Sequence, residues 1–389
     1  MTRTPEEHLE AIRAAIPARP STWLPPAEAV GRTLVEPVAA PGDSPAFDNS
    51  QMDGYALATN QLAGGVFPVG PTVAAGADPG VLYSDGLTGH IAPVMTGAPV
   101  PAGTAAVVPV ENCSPPEFVD TEVRVPPVEE GQFVRRAGSD LRAGEQLFAA
   151  GHRVNARTVG ACALLGVEAL PVAEPARVVI CTGGEEIGGD GLAQIPDANG
   201  PMLAALCARH GIEVAAHVWT GDDPAALEDA LGQAVRGHQP TAVITSGGIS
   251  HGKFEVVRQV LEPAGGWFGH VAQQPGGPQG LAELGGVPVI CLPGNPVSTF
   301  VSFRVFVAPV LGEVEPPFEA VMWEAVTGLA GRECWVRGGV AIKNGRAVAT
   351  VTGGKGSHLL AQSVAANVLL RVPAGANLEE GDVVRAYPL

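Results

Sequence analysis

The chain has 389 residues, with 23 Lys or Arg and 40 Asp or Glu, so its formal net charge is −17 at pH 7. This length suits two to four domains with a sizeable core, and the acidic balance excludes general binding to a nucleic-acid backbone. Glycine (51) and proline (36) together exceed a fifth of the chain, which indicates a turn-rich protein with many short strands. The net charge does not exclude the binding of small anionic ligands, because backbone amides in glycine-rich turns attract them locally.

The N-terminal segment, residues 4–12, predicts an amphipathic acidic helix and not a targeting signal. The longest apolar stretch, residues 297–311, is too short to span a bilayer and contains Arg304. Six cysteines are scattered without a CxxC pair, which predicts buried thiols in a reducing compartment. We therefore expect a cytoplasmic protein without membrane insertion.

Three short apolar runs in the third quarter of the chain each end in a glycine turn. The runs are 177–181, 241–245 and 287–292, and the turns are 182–185, 246–248 and 293–296. Helical segments at 199–210 and 224–236 lie between the runs, and Asp222 or Asp223 can cap the second. This alternation predicts a doubly wound parallel sheet with helices on both faces. All three turns then fall at the carboxyl ends of strands, where such sheets bind ligands.

The flanking regions differ, because they contain short valine-rich runs broken by proline and glycine. We expect a multidomain α/β protein with four parts. These are a central α/β domain (5–21 and 174–312), a β-rich inserted domain (41–143), a small connector domain (22–40 and 144–173) and a C-terminal β-barrel domain (313–389). One helix, at 157–165, is expected in the connector.

Polar side chains concentrate in further motifs outside these turns. Residues 47–56 (FDNSQMDGYA) place two carboxylates, an amide and a hydroxyl in one turn, and residues 95–101 (MTGAPVP) and 292–298 (LPGNPVS) are rich in proline and glycine. Each of these could equally be a rigid turn without a ligand. The glycine pairs at 183–184 and 247–248 match neither the P-loop nor the dinucleotide pattern, so they do not predict nucleotide binding alone.

Taken in order, five segments resemble the molybdopterin molybdenumtransferases (MoeA), which share their fold with the C-terminal domain of gephyrin. The segments are 47–56, 95–101, 134–140 (VRRAGSD), 245–250 (TSGGIS) and 292–298. The resemblance implies a molybdopterin-binding-like central domain and an elongated homodimer with an active site between subunits. It also implies a late step of molybdenum cofactor biosynthesis, in which molybdate is inserted into adenylylated molybdopterin with Mg²⁺ and AMP is released.

The same resemblance implies three groups of site residues. The catalytic candidates are Asp53, Thr96, Asp140, Glu185 and Asp222. The candidates for binding the pterin phosphate region are Ser246, Gly247, Gly248, Ser250, Pro293, Gly294 and Asn295. The candidates for Mg²⁺ are Glu185, Asp222 and Glu255, since carboxylates suit a hard cation that bridges two anions.

Three segments depart from the family pattern. Residues 182–186 are TGGEE where the family has Thr-Gly-Asp-Glu-Leu, Glu255 replaces an aspartate, and residues 274–278 (QPGGP) lack both lysines of Lys-Pro-Gly-Lys-Pro. Charged hydrogen bonds contribute about 1.5–3 kcal/mol each, so losing two predicts phosphate binding weaker by roughly 10² to 10⁴-fold.

Two functions therefore stay open at this point. The first is a molybdopterin molybdenumtransferase. The second is a gephyrin-like dimeric scaffold with impaired catalysis, which binds peptides of a membrane receptor or of a tubulin-like cell-division protein; this alternative rests on analogy of fold.

Overall fold

The computed structural model describes residues 2–184, 187, 194–250, 255–354 and 356–389. Its helices are α1 Pro5–Ala15, α2 Pro79–Leu82, α3 Ala156–Leu165, α4 Asn199–Arg209, α5 Pro224–His238, α6 Val256–Leu261, α7 Pro296–Ser302 and α8 Ala308–Leu311, with a π-helical segment, Phe303–Val307, between the last two. Its strands are β1 Ser21–Leu24, β2 Val38–Ala39, β3 Asn49–Ser50, β4 Gly54–Ala58, β5 Gly65–Pro68, β6 Ala92–Val94, β7 Thr104–Pro109, β8 Glu122–Val125, β9 Val134–Arg135, β10 Gln146–Phe148, β11 Leu170–Ala173, β12 Arg177–Gly183, β13 Glu213–Thr220, β14 Ala242–Ser246, β15 Trp267–His270, β16 Gln273–Gln274, β17 Pro278–Leu284, β18 Val287–Leu292, β19 Phe318–Met322, β20 Val326–Thr327, β21 Glu333–Lys343, β22 Arg346–Val351, β23 Val368–Val372, β24 Asn377–Leu378 and β25 Val383–Pro388.

The chain divides into two compact units. The first unit comprises Met1–Thr22 and Ala173–Leu389, and the second comprises Trp23–Val172.

A six-stranded sheet lies at the centre of the first unit, in the order β13-β12-β14-β18-β17-β15. The four strands from β13 to β18 are parallel, and the three predicted apolar runs are its central strands. Strand β17 runs antiparallel to both of its neighbours, β18 and β15. The sheet is therefore mixed at one edge, where the pattern predicted only parallel strands, because the two-residue turn Gly285-Gly286 joins β17 to β18 and so short a connection allows only antiparallel pairing.

Successive residues of β12 point to opposite faces of this sheet, and each face is covered by helices. Val178 and Ile180 belong to an apolar cluster with residues of α1, α4 and α7. Val179 and Cys181 belong to a second cluster with residues of α5 and α6. Helix α5 begins as expected, and Asp223 is its cap, since its Oδ1 accepts from the backbone N–H of Ala225 at 3.0 Å.

A closed five-stranded barrel forms the C-terminal part of the first unit, as predicted. Its strand order is β21-β22-β19-β25-β23, and β23 pairs back with β21 to close it. Strand β16 adds to the barrel by pairing in parallel with β21, so that Gln274 lies opposite Cys334. Met322, Leu370 and Val384 are among the side chains that fill the barrel.

The second unit contains short antiparallel pairings and three apolar clusters. Strand β4 pairs with β6 and β7, β5 with β8, β3 with β9, and β2 with β10. One cluster surrounds α3 and includes Cys162 and Leu170, while the other two lie among the short strands. Residues 68–75 are one of the valine-rich runs that suggested a β-rich domain, and they form a strand only at Pro68. Beyond it, Val69 and Val73 make isolated bridges. The boundaries of the four predicted domains stay a prediction.

All six cysteines are buried and unpaired, as the sequence predicts. Burial raises the pKa of the Cys181, Cys207 and Cys291 thiols to about 12. Among the residues that the structure describes, no helix is long and apolar enough to cross a membrane.

Candidate active site

A cavity of about 890 Å³ lies at the carboxyl ends of β12, β14 and β18 in the first unit. Its wall contains the three glycine turns that follow these strands, where the sheet was predicted to bind a ligand. Gly183 is required in the first turn, because its φ is +150° and an added Cβ would lie 2.0 Å from the carbonyl oxygen of Thr220. The first turn is thus held in close contact with β13.

The second and third turns are joined by hydroxyl groups. The buried Ser246 Oγ donates to the carbonyl oxygen of Pro293 at 3.2 Å, and Thr299 Oγ1 donates to the same oxygen at 2.6 Å. The side-chain amide of Asn199 donates to the carbonyl oxygen of Gly294 at 2.7 Å. The hydroxyl of Ser246 is therefore engaged with the turn at 293–295.

All seven residues predicted to bind the pterin phosphate region line this one cavity: Ser246, Gly247, Gly248, Ser250, Pro293, Gly294 and Asn295. The structure therefore brings the turns of β14 and β18 together, although their roles toward a ligand stay a prediction.

Two of the three predicted metal carboxylates, Asp222 and Glu255, line the same cavity. Glu255 Oε2 also accepts the backbone N–H of Ser250 at 2.8 Å. The third, Glu185, lies outside the described residues. Within the described ranges, no group of three or more His, Cys, Asp or Glu side chains is arranged to hold a metal ion by itself.

The other three catalytic candidates lie in the second unit. Asp53 Oδ1 accepts both the backbone N–H of Thr96 at 2.6 Å and its hydroxyl at 2.9 Å. These two hydrogen bonds lower the pKa of Asp53, because they favour the ionised carboxylate. Asp140 Oδ2 accepts instead from Ser44 Oγ at 3.0 Å. The structure therefore brings Asp53 and Thr96 together and holds Asp140 through a different partner.

Sequence reasoning did not single out Arg332, Ser357 and His358, which also line the cavity and carry donors or a titratable ring. The guanidinium of Arg332 donates to Gln274 Oε1 at 3.4 Å. This contact depends on the parallel pairing of β16 with β21. The only signal for it in the sequence is an arginine in the turn before β21, which does not identify Gln274 as its neighbour.

The segment that lacks the family's lysines also lines the cavity. The side-chain amides of Gln273 and Gln279 both donate to the carbonyl oxygen of Gly276, at 3.2 and 2.7 Å. An added Cβ at Gly277 would lie 2.8 Å from His270 Nε2. A lysine at position 277 would therefore displace this ring, whereas position 274 is exposed beside Arg332.

These features define a multidomain α/β protein with a polar ligand cavity at the ends of parallel strands, attached to a closed β-barrel. Three family models match it: "MoeA N-terminal region (domain I and II)" over residues 3–166, "Probable molybdopterin binding domain" over 178–313, and "MoeA C-terminal region (domain IV)" over 319–389.

Curated relatives match nearly the whole chain. "Molybdopterin molybdenumtransferase 2" of Mycobacterium tuberculosis (strain ATCC 25618 / H37Rv) is 34% identical over 414 residues, which covers 98% of this chain and 100% of the relative. "Molybdopterin molybdenumtransferase" of Synechococcus elongatus is 35% identical over 337 residues, which covers 81% of each chain. The chain therefore belongs to the molybdopterin molybdenumtransferase (MoeA) family.

A solved structure has the same fold along its whole length. The molybdopterin biosynthesis moeA protein of Pyrococcus horikoshii OT3 superposes with a TM-score of 0.78 at 22% identity and covers 100% of both chains.

Proposed function

We propose that this protein inserts molybdenum from molybdate into adenylylated molybdopterin and releases AMP, as a late step of molybdenum cofactor biosynthesis. The observation that supports it most is the single cavity in which three glycine turns, two carboxylates and Arg332 meet. The relatives carry transferase names, and they give the scaffold alternative no better support.

The turns and Arg332 supply donors for the two anionic substrates. Backbone N–H groups of the turns at 246–248 and 293–295 suit phosphate oxygens. Arg332 places a guanidinium beside Gln274, at the position where the family pattern has a lysine. The cavity wall therefore keeps a cation there, and we expect a smaller loss of phosphate affinity than the missing lysines alone imply.

The carboxylates fit Mg²⁺, which proteins commonly hold through one or two carboxylates together with substrate phosphates. Asp222 and Glu255 would hold the ion, with Glu185 as a further candidate ligand. When bound, Mg²⁺ would reduce the repulsion between the phosphate and molybdate groups that have to approach each other. A cytoplasmic homodimer in which Asp53, Thr96 and Asp140 also serve catalysis belongs to the same proposal.

Complementation tests this function directly. Expression of the protein in a bacterial strain that lacks its own molybdenumtransferase should restore nitrate reductase activity. The matched control is Asp222→Asn, which keeps the side-chain size and removes the charge. A wild-type protein that is expressed and folded but restores no activity would contradict the proposal, and a peptide-binding scaffold would then be the better account.

A further inference from the structure

Three side chains form a hydrogen-bonded chain at one wall of the cavity. Thr182 Oγ1 lies 3.1 Å from Asp197 Oδ2 and 2.7 Å from His217 Nε2. Asp197 and Thr182 line the cavity, whereas His217 is exposed on β13, the edge strand of the described sheet. These three hydrogen-bonded side chains therefore connect the cavity with the solvent outside the sheet.

The number of protons on each group determines which of Thr182, Asp197 and His217 donates in each of the two hydrogen bonds. An ionised carboxylate only accepts, so Thr182 donates its one hydroxyl proton to Asp197. Nε2 of His217 must then carry a hydrogen, because the contact with Thr182 Oγ1 otherwise has no donor. The neutral ring is thus the Nε2–H tautomer, and its Nδ1 is the nitrogen that remains to exchange protons with solvent.

The local backbone is shaped for this arrangement. Asp197 Oδ1 accepts the N–H groups of Asn199 and Gly200, at 2.9 and 3.0 Å, where α4 begins. An added Cβ at Gly200 would lie 2.3 Å from Asp197 Oδ2 and 2.5 Å from His217 Cε1. Glycine at this position therefore leaves room for both the carboxylate and the imidazole to reach Thr182.

The surroundings of the ring set its charge. Partial desolvation of the ring lowers the pKa of His217, and the negative charge of Asp197 opposes that shift. The neighbours are neutral Thr182 from β12, Asp197 and Gly200 from the start of α4, and Trp219 on the same strand, whose ring centroid lies 4.6 Å away. Within the described residues, Asp197 is the charged group that acts on this imidazole.

We propose that His217, Thr182 and Asp197 are a proton relay that delivers protons from solvent to the cavity. The proposal rests on the proposed function, because the phosphate oxygen that leaves with AMP and an oxide lost from molybdate as water both take up protons.

The steps balance. The cationic ring passes its Nε2 proton to Thr182 Oγ1, and Thr182 passes its own proton to Asp197 Oδ2. Asp197 then protonates the phosphate oxygen that departs with AMP as water attacks the phosphorus, and it becomes a carboxylate again. The ring is left neutral with its proton on Nδ1. Exchange with water at the exposed ring returns the Nε2–H tautomer, and the hydroxyl of Thr182 turns back toward Asp197.

A pair of substitutions at the middle position tests the relay. Thr182→Val keeps the branched shape and removes the hydroxyl, whereas Thr182→Ser keeps the hydroxyl. In a purified assay, wild-type kcat should fall as pH rises, because the relay needs the cationic ring. Thr182→Val should lower kcat by about 10²-fold, the lower range for general acid–base catalysis, with KM unchanged and the pH dependence lost. Thr182→Ser should stay within about threefold of wild type, a small effect on the same scale. Wild-type kcat and pH dependence in Thr182→Val would overturn the relay while leaving the proposed function intact.

Nitrogen NMR of the histidine rings provides a readout that needs no activity. His217→Gln assigns the His217 signals among the nine histidines. We expect the Nε2–H tautomer in wild type and a lower His217 pKa in Asp197→Asn, because the carboxylate that raises it is removed. An Nδ1–H tautomer, or a His217 pKa indifferent to Asp197→Asn, would overturn the relay. A wild-type protein with the expected NMR signature but no molybdenum insertion would instead contradict the proposed function.

Discussion

At the scale of single residues, the sequence proposed candidate side chains but not the neighbours that the structure gives them. Asp53 and Thr96 belong to separate motifs, and the structure joins them through two hydrogen bonds. The sequence could not predict the contact of Arg332 with Gln274, because it depends on the pairing of β16 with β21. Local patterns report propensity and turn chemistry, whereas such contacts depend on tertiary pairing.

Asp53→Asn should separate a catalytic role from a turn-forming one. The amide oxygen can still accept from Thr96, so we expect little change in Tm. Molybdenum insertion should fall by at least about 10²-fold, if the ionised carboxylate takes part in acid–base chemistry. Purified-component rates and thermal unfolding check this, with Thr96→Ser, which keeps the hydroxyl, as the control. Parallel losses of stability and activity would support the turn-forming role alone.

Arg332→Gln should weaken the binding of AMP, used as a probe, by roughly 10-fold or more, since a charged hydrogen bond contributes about 1.5–3 kcal/mol. Adding Gln274→Lys to this variant should recover part of the affinity, because a cation returns to the same wall. Isothermal titration calorimetry measures both. Arg346→Gln, on the exposed hairpin of the barrel, changes the net charge equally and should have no effect; a loss of equal size there would show that only long-range charge matters.

At the scale of elements, the best predictions came from strong local patterns. The runs at 177–181, 241–245 and 287–292 are apolar, β-branched and bounded by glycine turns, and each is a central strand. Strand β17 escaped prediction because it carries polar residues beside an antiparallel partner. The cavity at the strand ends followed from the order of elements, since parallel strands present their turns at one edge.

Helix α1 contains His8, which should make the first unit less stable in acid. His8 is fully buried between the rings of Trp267 and Phe306, and burial, with a smaller contribution from Arg3, lowers its pKa to about 3. Below about pH 6.5 the His8 imidazole binds a proton in the unfolded state but not in the folded state. The free energy of unfolding therefore falls as pH drops from 6.5 toward 3.

His8→Phe should remove this part of the acid sensitivity. Between pH 6.5 and 4.5 the wild type should lose about 2–3 kcal/mol more of its unfolding free energy than His8→Phe, since each pH unit between the two pKa values contributes about 1.4 kcal/mol. Urea unfolding at both pH values measures the difference. Identical pH dependence in the two proteins would show that the ring is solvated.

At the scale of the whole molecule, the sequence predicted the class of fold, including the C-terminal barrel, but not the order in which the strands pair. Closure depends on the pairing of β21 with β23, strands separated by β22 and a long loop. The local periodicity of β21 cannot identify β23 as its partner, because any strand with a matching pattern of apolar residues could pair with β21 equally well.

The proposed homodimer should sediment with twice the chain mass of 39.6 kDa. Its mass should be unchanged across micromolar concentrations, because an active site shared between subunits requires a stable pair. Sedimentation equilibrium measures it, and moderate salt should be present, since a chain of net charge −17 repels its own copies at low ionic strength. A monomer under these conditions would rule out a shared site.

The buried cysteines also allow local unfolding to be measured in the unmutated protein. Thiols react with alkylating reagents as thiolates, and burial keeps the pKa of Cys181 and Cys291 near 12, so labelling has to wait until the surrounding structure opens. Cys113 and Cys162 lie in the second unit and the other four cysteines in the first. The order in which their peptides are alkylated, followed by mass spectrometry, would therefore rank the two units by stability in the unmutated protein.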